Sequence, residues 1–102
     1  MPMTTPLISE DGSTWNLHRA GNPPIPFAVT GDDLSAATVV FRVRGGPTVT
    51  LQANPDLPTG KLIVFTADHL AAIPERGAEF FIRNQTTGEV LLDGRVFARG
   101  FA

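Results

Sequence analysis

Prolines and glycines fall between short apolar runs along almost the whole chain, Pro 9 and Gly 10 in 102 residues. Such close punctuation leaves room for strands and tight turns but for few helices, so it points to an all-β domain. About seven strand-like runs can be traced, the number found in a small sandwich. The length suffices for one hydrophobic core and is too short for two.

The run at 13–19 places Trp15 and Leu17 on one face and Asn16 and His18 on the other. The run at 25–30 alternates Ile25, Phe27 and Val29 with Pro26 and Ala28. A proline has no N–H for a central ladder, so this strand is expected at a sheet edge. In the run at 38–44, Val39, Phe41 and Val43 oppose Thr38, Val40, Arg42 and Arg44, and the two arginines make the second face wet. Gly45-Gly46-Pro47 then turns the chain into a run at 48–53, completing a hairpin.

The run at 61–66 is apolar on both faces, with Leu62 and Val64 opposing Ile63 and Phe65. One short helix is expected over 66–73, with Thr66 as its cap, Asp68 in its first turn and Pro74 beyond its end. Runs at 78–83 and 89–98 flank the turn formers of 84–88 and form a closing hairpin. Residues 1–12 carry no periodicity and read as a flexible N-terminal arm, which leaves 13–102 as a single domain. The expected architecture is a two-layer antiparallel β-sandwich with one helical crossover.

Composition excludes several kinds of chemistry. Cys 0 removes disulfides, thiolate metal sites and a cysteine nucleophile. A net charge of -2 gives no overall basic footprint for nucleic acid, and no apolar run is long enough to span a bilayer as a helix. His18 and His69 have no partner at metal-ligand spacing, and Ser9, Ser13 and Ser35 lie outside any nucleophile signature. Glu10-Asp11 and Asp32-Asp33 are adjacent pairs in turns, where local capping is a simpler account than calcium binding. No catalytic residue, metal or organic cofactor is expected.

What stands out is surplus apolar surface. If Leu62, Val64, Phe80, Ile82, Leu92 and Val96 fill the core, the opposite parity leaves Ile63, Phe65, Phe81, Leu91 and Phe97 on another face. Five such side chains are more than a monomer ordinarily shows to water, so an interface with another chain is expected there, the alternative being cover by the arm, with Leu7 and Ile8, or by the Leu70/Ile73 turn. Arg83, Asp93 and Arg95 would form its rim.

The order Pro24-Ile25-Pro26-Phe27-Ala28-Val29, then Asp33 to Val43, then Thr59-Gly60-Lys61-Leu62-Ile63-Val64-Phe65-Thr66-Ala67-Asp68, resembles the immunoglobulin-like N-terminal domain of phage baseplate upper proteins and related virion modules. The pattern continues through Ala71-Ala72-Ile73-Pro74 and a Phe-rich strand to Leu91-Leu92-Asp93-Gly94-Arg95-Val96, so it covers roughly residues 20–100. The resemblance implies an immunoglobulin-like sandwich and a non-enzymatic structural role in a phage or prophage virion assembled in the bacterial cytoplasm. Its partners would be other virion proteins or further copies of the chain. In that family the domain leads into further modules, whereas this sequence stops at Ala102, so tail, baseplate, neck and capsid surface all remain open as its place. The alternatives are a small carbohydrate-binding module, for which Trp15 is the natural sugar platform, and a small hydrolase.

Overall fold

Alternation puts Val39, Phe41 and Val43 on one side of their strand, and all three are buried in the computed structural model, which describes residues 7–100. Nine strands and one helix follow in order among the described residues. They are β1 (Leu7–Ile8), β2 (Thr14–His18), β3 (Ile25–Phe27), β4 (Val39–Val43), β5 (Thr48–Thr50), β6 (Gln52–Ala53), β7 (Lys61–Ile63), α1 (Ala67–Ala72), β8 (Ala78–Asn84) and β9 (Glu89–Arg99). They form an all-β sandwich of a curled six-stranded sheet, order β1-β2-β9-β8-β4-β5, and a three-stranded sheet, order β3-β7-β6.

Both expected hairpins are present, β4 with β5 and β8 with β9. Their turns use glycine at positive φ, Gly45 at 70° and Gly88 at 81°, conformations that a Cβ would strain. Pro26 lies on β3 at the edge of the small sheet, the position at which a missing N–H is tolerated.

Three features differ from the expected plan. The run at 48–53 is divided: β5 pairs with β4, β6 pairs with β7, and buried Leu51 carries the chain from one layer to the other. β2 runs parallel to β9, from Thr14 opposite Arg95 to His18 opposite Arg99; with no tight turn joining them, nothing requires an antiparallel pair. Within the expected arm, Leu7–Ile8 pairs with β2, while residues 1–6 lie outside the described residues.

One set of faces is inverted. Ile63 and Phe65 were expected on an interface but are core residues, 0% and 7% exposed, while Leu62 and Val64 are half-buried. Because the run is apolar on both sides, alternation alone carries no sign there. The pairing of β7 with β3 sets it by placing Ile63 beside buried Ile25, and Phe65 meets Phe41 edge-on at 5.2 Å.

The aromatic centre is continuous. Phe41 and Phe80 stack at 4.6 Å, and Trp15 lies tilted over both at 5.2 and 5.4 Å. The indole N–H donates to the Gly12 carbonyl at 2.7 Å, so Trp15 is buried without an orphaned donor. Helix α1 is capped by Thr66 as expected, with a capping box in which the His69 ring accepts the Thr66 N–H and Thr66 Oγ1 accepts the His69 N–H. Arg19 fastens its other end. Its guanidinium donates to the Leu70 and Ile73 carbonyls of the helix end at 2.8 and 3.1 Å and to the Ala98 carbonyl of β9 at 2.6 Å, tying the helix terminus to the large sheet.

Phe41→Ala is expected to destabilise the fold by about 3–5 kcal/mol, read as a fall in the denaturation midpoint; an unchanged midpoint would place the ring outside the core. Gly94→Ala tests the seam between β2 and β9, because a Cβ at Gly94 would overlap the Ser13 backbone carbonyl. A cost of about 1–3 kcal/mol is expected from that overlap, and a melting temperature equal to that of the parent would show that the seam can open.

Candidate functional site

On β8 burial alternates, so that Glu79, Phe81 and Arg83 point away from the core while Phe80 and Ile82 enter it. The neighbouring registers extend this outer face into a grid. One row runs Thr48, Arg42, Phe81, Asp93 across β5, β4, β8 and β9. In the next, Glu79 lies between Arg44, whose side chain pairs with it at 3.0 Å, and Arg95. A third sets Arg83 between Val40 and Val90.

A groove of about 930 Å³ opens on this grid. Arg42, Arg44 and Arg95 line it together with Glu79, Asp93, Thr48 and half-buried Phe81, and Val90, 51% exposed, closes one side. Arg44–Glu79 is the ion pair here among the described residues. Arg83 is committed in part, its Nε donating to the Gly88 carbonyl across the closing turn.

Of the expected interface residues, Phe81 and Phe97 stand on this face, and the expected rim of Arg83, Asp93 and Arg95 surrounds Phe81. Leu91 does not join them. A β-bulge at Ile82/Arg83 leaves Ile82 opposite Leu92 but Arg83 opposite Val90, so Leu91 is the extra residue. It packs against the core, and Val90 takes the outward position. Phe97 is half-buried and already covered: the Arg99 guanidinium sits 4.6 Å over its ring, and the ring occupies the space a Cβ on Gly77 would need. Ile63 and Phe65 belong to the core, as described above. Arg42 and Arg44 were not expected at the site, whereas Glu79 shares the parity of Phe81 and Arg83 along its run. The alternation at 38–44 does place both arginines on one face, but only the pairing of β4 with β8 brings them to Phe81.

The remaining candidates are tied into local structure. Trp15, the natural sugar platform, is 3% exposed. Ser9 and Ser13 donate their hydroxyls to Asp11 Oδ1, both at 2.7 Å, and the Ser13 N–H donates to the same oxygen at 3.0 Å. The Ser35 N–H donates to Asp33 Oδ1 at 2.9 Å. These are Asx-type turn contacts, the arrangement expected of an acidic residue that organises its own loop. No group of three His, Asp or Glu side chains gathers as a metal site among the described residues. Compared with protein-family models, with curated proteins and with solved structures, the chain matches none.

Asp11 gives this loop a measurable acid limit. The Ser13 backbone N–H, then the Ser13 and Ser9 hydroxyls, lower its carboxyl from the ordinary 3.8 to about 2. A depressed folded pKa stabilises the fold above the unfolded value and loses that contribution as pH falls from 3.8 towards 2. The melting temperature should therefore decline more steeply across that window in the parent than in Asp11→Asn; parallel declines would show that Asp11 contributes nothing.

Proposed function

We propose that this chain is a non-enzymatic docking domain, acting as a structural subunit of a phage or prophage virion. The observation that carries the docking role is the outer face of the six-stranded sheet. There Phe81 lies half-buried between Arg42 and Asp93, in a groove that no other segment among the described residues covers. An aromatic ring framed by arginines is the composition of an interface centre, since both residue types are enriched where proteins bind one another. The charged side chains around it set register more than affinity. The virion setting rests on the sequence resemblance, and the partner is another protein of the particle or a further copy of the chain. Ser9, Ser13 and Ser35 are engaged with Asp11 and Asp33 in turns, and the indole that would serve a sugar site is in the core.

The test is incorporation into particles. After prophage induction in a host that carries the gene, the chain is expected to co-sediment with particles on a density gradient, and Phe81→Asp to remain among the soluble proteins at an unchanged melting temperature. A charge at a desolvated interface is strongly unfavourable, whereas on an open sheet face it is tolerated. Co-sedimentation of Phe81→Asp would place the contact elsewhere, a large fall in its melting temperature would make Phe81 a core residue, and absence of the parent chain from particles would overturn the virion setting.

A further inference from the structure

The outer face has the opposite sign to the rest of the chain. Acidic residues outnumber basic ones, 10 to 8, yet five arginines, Arg42, Arg44, Arg83, Arg95 and Arg99, project from this one face by strand parity, against Glu79 and Asp93. Glu79 is spent on Arg44, and Arg42 and Arg95 form no ion pair among the described residues. Two unpaired guanidinium groups therefore flank Phe81 in an open groove.

We infer that the groove receives an extended acidic segment of the partner protein, with carboxylates on Arg42 and Arg95 and an apolar side chain between them on Phe81. This rests on the docking role proposed above and names the partner's chemistry. Arg42 and Arg95 lie two strands and one row apart, which places their Cα atoms roughly 12 Å from one another, given about 4.8 Å between strands and about 6.8 Å between rows. Alternate side chains of an extended segment recur every ~7 Å on one face, so an acid-x-apolar-x-acid pattern spans both arginines with its middle residue over the ring. The guanidinium fork suits carboxylates, which it can grip through two parallel bonds. A second copy of the chain presenting the same face would bring the same net positive charge, five arginines against Glu79 and Asp93, so symmetric self-pairing through the groove is disfavoured. Single-stranded nucleic acid fits less well: stacking of successive bases needs more than one open ring, and the face of Phe97 is already occupied by Arg99.

The full chain is titrated, by amide chemical shifts in heteronuclear NMR, with a peptide containing Asp-Thr-Leu-Thr-Glu, with its uncharged counterpart Asn-Thr-Leu-Thr-Gln, and with oligothymidine. Saturable binding of the acidic peptide is expected, with shifts at Arg42, Phe81 and Asp93. Affinity should fall at least about tenfold for the uncharged peptide, and equally for the Arg42→Glu/Arg95→Glu variant at an unchanged melting temperature. Absence of saturation, equal binding by the variant, or tighter binding of oligothymidine would overturn the inference. Particle incorporation separates the two proposals. If the double arginine variant enters particles normally while Phe81→Asp does not, docking stands and the acidic segment falls; if both enter normally, the docking face itself falls.

Discussion

The face-to-face contact of Phe41 with Phe80 is the point on which the rest of the sandwich depends. It joins β4 to β8 at the middle of the large sheet, with Val43 opposite Phe80 and Phe41 opposite Ile82 in the same ladder. Trp15 covers the pair from β2, and Phe65 reaches its edge from the end of β7, so two rings at 4.6 Å bring together strands of both layers. Large flat rings bury much apolar area and prefer offset or edge contacts, which makes such a cluster both a source of stability and a constraint on how the layers are aligned. The outer grid inherits that alignment, because a register fixed by inward rings also decides which residues stand side by side on the other face.

Much of this plan could be read from the chain where one face of a run is plainly more polar than the other. Val39, Phe41 and Val43 against Arg42, and Trp15 and Leu17 against Asn16 and His18, give strands whose inward side is unambiguous. Thr66 and Pro74 bracket the helix for equally local reasons. At 61–65 both faces are apolar, and the one charged residue misleads. Lys61 shares the parity of Ile63 and Phe65 yet is itself buried, its amine directed to the Ser35 carbonyl at 3.4 Å. The parallel seam of β2 with β9 has no local signature, since no turn records it.

The site was legible in part for the same reason. Phe81, Arg83, Asp93 and Arg95 follow from the parity of the closing hairpin. Leu91 does not, because the bulge opposite Ile82/Arg83 shifts parity by one residue and exchanges it for Val90. Arg42 and Arg44 arrive by a long-range pairing, β4 against β8, that alternation along either strand cannot announce.

The seam between β2 and β9 also orders the folding reaction. The hairpins β4–β5 and β8–β9 close over short turns, whereas Thr14 must find Arg95 from almost the other end of the described chain. Closing so long a loop is slow and entropically opposed, and it becomes favourable once a surface exists for the incoming strand to cover. That surface is the open side of the stacked phenylalanines, and the residue that seals it is Trp15, the single tryptophan of the sequence. Its fluorescence therefore reports the packing of β2 against that pair, so the longest-range step of the fold carries its own optical signal.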